Sequence, residues 1–135
     1  MRAALVTGEY PPMQGGVGDF TRELARSLAD RGVEMHVITV AQGVGQGGSG
    51  VTVHPVIKTW SFPSLWRLRV LARRLEVDLL NLQYQAAAFG LSAPIHFLPW
   101  VAGVPVVVTF HDLRVPYLFP KAGRLRPAAI TRLAR

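Results

Sequence analysis

Short apolar runs alternate with amphipathic segments along most of the chain. Runs such as Ala3–Val6 and Val106–Phe110 are continuous and aliphatic, as expected of strands buried on both faces of a parallel sheet. The segments between the runs repeat their apolar residues at helical spacing. This alternation predicts an α/β domain of three layers with a mostly parallel sheet. The predicted strands are residues 2–7, 34–40, 51–57, 77–82 and 106–110, and the predicted helices are residues 17–31 and 60–76.

Prolines affect the predictions for the third strand and for residues 86–102. Pro55 lies in the third predicted strand, and a proline is tolerated at the edge of a sheet rather than at its centre, so this strand is predicted to be an edge strand. Residues 86–102 are mostly apolar and predict a buried helix. Pro94 and Pro99 would interrupt that helix, because proline removes a backbone donor and clashes with the preceding turn.

The first predicted helix has an apolar face and a charged face. We expect the apolar face to pack against the sheet. Gly32 follows the last periodic residue and fits a left-handed C-cap. The apolar face consists of Val17, Phe20, Leu24 and Leu28, and the charged face of Asp19, Arg22, Arg26 and Asp30.

A glycine-rich turn precedes this helix at Gly15, Gly16 and Gly18. Adjacent glycines allow a sharp turn, and they let a ligand approach the backbone without a Cβ in the way. The first helical turn also offers unpaired N–H groups and the positive end of the helix dipole, which suit a phosphate. The alternative is a turn that requires glycine only for its geometry, and a Gly-Gly pair alone does not separate the two interpretations.

The second predicted helix also has two distinct faces. Apolar residues at helical spacing predict a face that packs on the sheet. The opposite face is basic and includes a tryptophan, which is typical of a helix that lies on a membrane surface. The alternative is a solvated helix whose arginine stems cover apolar surface. The residues of the basic face are Trp66, Arg67, Arg69, Arg73 and Arg74.

The composition narrows the classes of protein. The 135 residues are 50% hydrophobic, which is enough for one domain with a core. The chain has no cysteine, which excludes disulfides and thiolate metal sites, and no histidine and carboxylate have metal-ligand spacing, so we expect no metal. The net charge of +7 implies an acidic partner such as a nucleotide phosphate, an anionic lipid or a nucleic acid.

The two ends of the chain also support predictions. The chain begins with a strand and shows no basic-then-apolar leader, and no apolar run is long enough to cross a bilayer. We therefore expect a cytoplasmic protein. Residues 123–135 predict a helix without a stop signal, so we expect residues 1–135 to be a single domain cut from a longer protein.

With these residues in view, the chain resembles the N-terminal domain of a retaining glycosyltransferase of the GT-B architecture, family 4. The most specific part is the glycine-rich helix together with a strand that ends in His111 and Asp112. The resemblance implies a Rossmann-like domain on the acceptor side of the enzyme, with the nucleotide-sugar-binding domain C-terminal to these residues. The matching stretches, in the same order and at the same spacing, are Glu9–Val40, Asp78–Gln85 and Val104–Leu113.

The resemblance also implies roles for individual residues. Gly15 and Gly16 would lie against the donor diphosphate. His111 would hydrogen-bond a hydroxyl of the donor sugar and support an oxocarbenium-like transition state. Where the family commonly has a histidine near the end of the fourth strand, this chain has Asn81. The acceptor-binding residues implied by the family pattern are Glu9, Tyr10, Asp19, Gln83 and Tyr84.

Two of these acceptor-side residues have simpler interpretations. Asp19 lies in the first helical turn, where a carboxylate stabilises the dipole without a ligand. Glu9 has the alternative of being a solvated loop residue.

The reaction implied by the resemblance is transfer of a hexose from a nucleotide-sugar donor to a glycan, lipid or small-molecule acceptor with retention. The implied route uses the donor phosphate to deprotonate the acceptor, so it requires neither a protein nucleophile nor a metal or cofactor. The family takes most donor contacts from the C-terminal domain, so residues 1–135 alone are expected to be inactive. A peripheral location at the inner face of the membrane would suit the basic helix.

Two other classes of protein remain as alternatives. The first is a dinucleotide-binding domain, but Gly15, Gly16 and Gly18 do not fit the G-x-G-x-x-G pattern, and the second strand ends without a ribose-binding acid. The second is a basic module that binds membrane or nucleic acid without catalysis. No RNA-binding signature or recognition helix supports its nucleic-acid form, so no nucleic-acid partner is expected.

Overall fold

The computed structural model describes residues 1–43, 48, 50–112 and 131–133. Within them the chain forms a five-stranded parallel sheet with helices on both faces. The predicted C-terminal helix lies outside the described residues except for residues 131–133, which are helical. In chain order the elements are β1 (Arg2–Thr7), α1 (Gly16–Ala29), β2 (Glu34–Val40), β3 (Val51–Ile57), α2 (Phe62–Arg74), β4 (Leu79–Tyr84), a 3-10 turn (Pro94–Phe97), α3 (Leu98–Val101) and β5 (Val106–Phe110).

The strand order is β3-β2-β1-β4-β5, and every pairing is parallel. β1 lies in the middle, with β2 and β3 added on one side and β4 and β5 on the other. β3 is an edge strand, as Pro55 predicts. Ligands of open α/β sheets bind beyond the carboxyl ends of the strands at the point where the order reverses, which here is the crevice between β1 and β4. The predicted fold class is confirmed.

The sheet separates two apolar cores, which makes the domain three-layered. Alternate residues of β1 enter opposite cores, as the period of a strand requires. Ala3 and Leu5 pack with Ala25 of α1. Ala4 and Val6 pack on the other face with residues of α2 and α3, including Leu65, Leu68, Ala72 and Leu98.

The fourth strand begins two residues later than its apolar run predicts, at Leu79 rather than Val77. Glu76 has a left-handed backbone with a φ of 53°, and the Val77 N–H donates to the carbonyl oxygen of Ala72, so these residues still complete the end of α2. β4 also ends two residues later than predicted, at Tyr84. Gln83 and Tyr84 are therefore part of β4 and do not follow it.

The face that α1 turns to the sheet includes Val17, Leu24 and Leu28, as predicted, but not Phe20. Phe20, expected to be buried, is 47% exposed. Small residues let the helix approach its neighbours closely: a Cβ at Gly18 would lie only 3.2 Å from the Glu9 carbonyl oxygen. The Thr21 hydroxyl donates to the Val17 carbonyl oxygen at 2.6 Å, which satisfies a buried polar group. The buried face consists of Val17, Gly18, Thr21 and Ala25.

The apolar face of α2 packs on the sheet as predicted, through Leu65, Leu68 and Ala72. The predicted helix within residues 86–102 is shorter than expected. It consists of the 3-10 turn followed by the single turn of α3, and each begins at one of the two prolines or one residue before it. Proline is tolerated in the first turn of a helix, so Pro94 and Pro99 begin short helices here instead of interrupting a long one.

Candidate functional site

The turn after β1 holds the amino end of α1 through a carboxylate of its own loop. The Thr7 hydroxyl donates to the Glu9 carbonyl oxygen at 2.8 Å. Glu9 Oε1 then accepts hydrogen bonds from the backbone N–H groups of Val17 at 3.0 Å and Gly18 at 3.2 Å. Glu9 therefore caps α1 from outside the helix and satisfies two of the N–H groups that a helix leaves unpaired.

The two glycines of the turn have different surroundings. A Cβ at Gly15 would overlap the Glu9 carboxylate, whereas a Cβ at Gly16 would meet no atom within 4 Å. Gly15 is thus required by the cap, which agrees with the geometric interpretation of this turn. Gly16 leaves the backbone open to an approaching ligand, as the phosphate interpretation requires.

His111 follows β5 and lies beside α1. Its backbone N–H donates to the Tyr84 carbonyl oxygen at 3.0 Å, and its ring meets the edge of Phe20 with centroids 4.9 Å apart. Nε2 lies 2.8 Å from Oε1 of Gln83. Burial lowers the pKa of His111, and the negative charge of Glu9 partly opposes this change. The imidazole is therefore neutral at neutral pH.

The glycine turn and His111 open onto the same end of the sheet. β1 pairs with β4 and β4 pairs with β5, all in parallel, so their carboxyl ends lie side by side. Phe20 of α1 joins the two parts through its contact with His111. We call this end the cleft rim: the carboxyl ends of β1, β4 and β5 with the amino end of α1. It brings together Glu9, Gly15, Gly16, Gln83 and His111.

The two predicted acceptor-site tyrosines lie in the cores. Tyr10 is 1% exposed and packs in the core on the α1 side of the sheet. Tyr84 is also 1% exposed, and its hydroxyl lies 2.8 Å from Nε2 of His96. Burial raises the pKa of both phenols. Neither ring offers an open surface at the cleft rim in this structure.

Asp19 and Gln83 differ in access. Asp19 is exposed in the first turn of α1, where its carboxylate lies 3.3 Å from a guanidinium nitrogen of Arg22. Gln83 is fully buried and reaches the cleft rim through its bond to His111. Asp19 is therefore open to solvent, whereas Gln83 is linked to the cleft rim only through the imidazole of His111.

A cavity of about 560 Å³ opens beside the turn after β1. Its walls are largely apolar and include Met13, Trp60 and Phe89, and the rings of the last two meet edge to face at 4.7 Å. Lys58 adds a cation to the lining. The sequence interpretation missed this cavity. The signal available was position, because Lys58 and Trp60 follow directly after the third strand, where ligands gather.

Phe20 was also missed as a rim residue. Its place in the apolar repeat of α1 predicts burial against the sheet. The structure turns it toward His111 instead, because Gly18 and Thr21 occupy the sheet-facing positions. No periodicity in the sequence distinguishes these two orientations.

The predicted basic face of α2 is mostly open. Trp66 is 59% exposed, and Arg67, Arg73 and Arg74 are exposed as well. Arg69 differs, since it donates to the Val101 carbonyl oxygen at 3.1 Å and lies 5.2 Å from the centroid of the Trp66 ring. Arg69 therefore joins α2 to α3.

Two kinds of feature are absent from the described residues. No group of three or more histidine, cysteine, aspartate or glutamate side chains there could hold a metal ion. None of the helices in the described ranges is long and apolar enough to cross a membrane.

Residues 14–135 match the model of Glycosyltransferase Family 4. The chain belongs to glycosyltransferase family 4. No curated protein matches it. The family match contains Gly15, Gly16, Gln83 and His111, and it begins after Glu9. The family assignment therefore includes most of the cleft rim and leaves the cap of α1 to be interpreted from its geometry.

Proposed function

We propose that this family 4 chain is the acceptor-side half of an enzyme that transfers a hexose from a nucleotide sugar to an acceptor with retention. The observation that supports this most directly is the shared cleft rim, where the open backbone at Gly16 and the imidazole of His111 lie at the same end of the sheet. The donor contacts that the family resemblance assigns to a C-terminal domain would lie outside these residues.

The donor diphosphate would approach α1 at Gly16. Glu9 already accepts hydrogen bonds from the N–H groups of Val17 and Gly18. A phosphate would therefore bind at the outer side of the turn, where no Cβ blocks its approach to Gly16. The positive end of the helix dipole favours an anion there. Glu9 repels that anion, which would restrict the phosphate to the side of the turn away from the carboxylate.

The transfer is the one that the family resemblance implies. The bond between the anomeric carbon and the leaving phosphate oxygen breaks, and the acceptor oxygen forms a new bond to that carbon on the same face. The acceptor proton passes to the leaving phosphate. The neutral imidazole of His111 hydrogen-bonds a hydroxyl of the donor sugar and holds the ring while positive charge develops on it.

The acceptor would enter the cavity of about 560 Å³ beside the turn after β1. The largely apolar lining, which includes the half-buried side chain of Met13, suits apolar parts of an acceptor. Lys58 suits an acceptor that also carries an anionic group. Asp19 lies exposed on the outer side of α1.

The test of this function uses the protein joined to its C-terminal domain. We expect His111→Ala to lower the rate of sugar transfer by about a hundredfold or more, because a positioned hydrogen-bonding group at the transition state is lost. His54→Gln is the matched control, since His54 lies on β3 and bonds to His36 at 3.1 Å. Equal rates for the two variants would contradict a role for His111.

A second proposal concerns the basic face of α2. Exposed Trp66 and Val56 border a shallow hollow of about 310 Å³ together with Arg67 and Arg74. An exposed aromatic residue among arginines suits the headgroup region of an anionic membrane. We propose that this face holds the enzyme at such a surface.

Vesicle flotation separates this proposal from a plain solvated helix. We expect the protein to float with vesicles that contain anionic lipid, and the variant with Arg67, Arg73 and Arg74 changed to Glu to remain at the bottom. Arg69 is left unchanged because it joins α2 to α3. The control changes Arg22, Arg26 and Arg31 of the opposite side to Glu, with the same change in net charge. If both variants float equally, the membrane proposal is wrong.

A further inference from the structure

Three polar side chains behind His111 form a hydrogen-bonded chain that the proposed reaction does not yet use. Gln83 accepts at Oε1 from the imidazole, with 2.8 Å between Oε1 and Nε2. The Gln83 amide donates in turn to Asn81 Oδ1 at 3.0 Å. The Thr109 hydroxyl donates to the same Asn81 oxygen at 3.0 Å. We call Asn81, Gln83 and Thr109 the polar chain.

The sheet geometry explains why these side chains meet. Asn81 and Gln83 are two residues apart on β4 and therefore point to the same face. Thr109 of β5 lies directly opposite Gln83 in the parallel register. His111 follows two residues after Thr109 and continues the row on the same face. The row thus extends from the middle of β4 to the cleft rim.

Burial makes this arrangement costly to disturb. Gln83 is fully buried, and a buried amide group left without a partner loses its hydrogen bonds to water with nothing to replace them. Its carbonyl is satisfied by His111 and its NH₂ by Asn81, so each end of the amide has a specified partner. The oxygen of Gln83 can only accept, and this requires a proton on Nε2 of His111.

We propose that the polar chain sets His111 as the Nε2–H tautomer, so that Nδ1 is the atom presented to the donor sugar, as a hydrogen-bond acceptor. Gln83 is the positioning residue and Asn81 holds Gln83. The role of Nδ1 toward a sugar hydroxyl rests on the proposed function, whereas the tautomer does not. The lowered pKa of His111 agrees with a neutral ring that has one donating and one accepting nitrogen.

Nitrogen-15 NMR of histidine-labelled protein reads the tautomer directly. The chain has four histidines, and a His111→Gln variant assigns the signal of His111. We expect the shifts of a single Nε2–H tautomer at neutral pH in the native protein. A protonated Nδ1, or an even mixture of the two forms, would overturn the proposal whatever the enzyme does.

Two substitutions of Gln83 test whether this residue sets the tautomer of His111. Gln83→Met keeps the length and removes the acceptor, so we expect a mixture of tautomers. Gln83→Glu keeps the acceptor and adds a charge, so we expect the Nε2–H form to persist and the pKa of His111 to rise by about one to three pH units. Thr39→Val is the control, a buried hydroxyl on β2 without a hydrogen bond to any described residue. An unchanged tautomer in Gln83→Met would contradict the assignment to Gln83.

Activity of the protein joined to its C-terminal domain separates this inference from the proposed function. If the tautomer changes, we expect Gln83→Met to lower kcat by up to about a hundredfold with little change in KM. The reason is that the hydrogen bond from the sugar hydroxyl to His111 would contribute mainly in the transition state. If the tautomer changes and kcat does not, the polar chain exists but His111 does not serve the reaction. That outcome would contradict the proposed role of His111 and leave the NMR result standing.

Discussion

Helices α1 and α2 flank the same sheet but differ in where their polar groups find partners. The amino end of α1 is capped by Glu9, and its charged residues pair with one another, as in the bonds of Glu23 to Arg22 and Arg26. The exposed arginines of α2, at positions 67, 73 and 74, form no ion pair with any residue in the described ranges. The polar groups of α1 find partners within the chain, whereas the arginines of α2 present unpaired charge to solvent.

The comparison separates two kinds of surface. At the cleft rim the protein positions polar groups in advance, so a ligand meets fixed donors and acceptors. On the face of α2 the arginines extend into water, and a partner would gain from charge more than from geometry. Substitutions should therefore affect folding strongly near α1 and weakly on α2.

The largest effect on stability is expected at Gly8, next to the turn that leads into α1. A Cβ there would overlap the backbone carbonyl of Ala88, which cannot move independently of its loop. We expect Gly8→Ala to lower the free energy of unfolding by about 3 kcal/mol, as overpacking against backbone does. Urea unfolding measures the change. Gly16→Ala is the control, because its Cβ enters open space. Similar midpoints for both variants would contradict the backbone contact.

A smaller effect is expected from the cap of α1. Removal of the carboxylate in Glu9→Ala leaves the N–H groups of Val17 and Gly18 without their partner, which should cost about 1–2 kcal/mol of unfolding free energy. Glu23→Ala removes a carboxylate from exposed ion pairs on the same helix and should cost less than about 0.5 kcal/mol. If the two losses are equal, Glu9 acts as an ordinary surface charge and not as a cap.

Acidification should weaken the fold through its histidines. Burial lowers the pKa of His54, His96 and His111 in the folded protein. Above the ordinary pKa of about 6.5 both the folded and unfolded forms are neutral, so no stability is lost. Below it the unfolded chain binds protons first, and stability falls until the lower folded pKa values are passed. We expect the midpoint temperature of thermal unfolding to decrease as the pH is lowered from 7.5 to 5. A midpoint that rises over this range would contradict the burial of these rings.

The smallest effect is expected on the open face of α2. Changing Arg67, Arg73 and Arg74 to Glu should alter the unfolding free energy by less than about 0.5 kcal/mol for each residue, because these side chains make no ion pair within the described ranges. The same variant is expected to lose vesicle binding. A large loss of stability would show that these arginines support the fold, and the contrast with α1 would then fail.

Binding of the donor by this chain alone tests the division of labour between domains. We expect titration calorimetry with nucleotide sugars to show dissociation constants no tighter than about 1 mM, because most donor contacts would lie in the C-terminal domain that the family resemblance implies. Micromolar binding would contradict that division.

The fold could be predicted from the sequence because it depends on periodicity. Five apolar runs and two helical repeats were enough for the strand count, the parallel sheet and the edge position of β3. The start of β4 was misplaced because Val77 belongs to the apolar run and also closes α2. On α1 only Phe20 was misplaced, because close packing favoured Gly18 and Thr21 over a larger apolar residue at the sheet.

The candidate site was predictable only in its outline. Parallel strands bring Gly16 and His111 to one end of the sheet, and the sequence shows the strands. The Glu9 cap and the burial of Tyr10 depend on how a loop folds back on a helix, which local spacing does not set. Tyr84 is buried because the strand period places it with Leu80 and Leu82, and this was missed because the strand was predicted to end at Leu82.

The close crossing of Gly8 and Ala88 limits how the molecule can be redesigned. Two loops distant in sequence touch there through their main chains, so a side chain at position 8 would displace the loop at Ala88. Inserted peptides or fused tags belong at the opposite end of the sheet, for example in the turn at Arg31 and Gly32, where both residues are exposed.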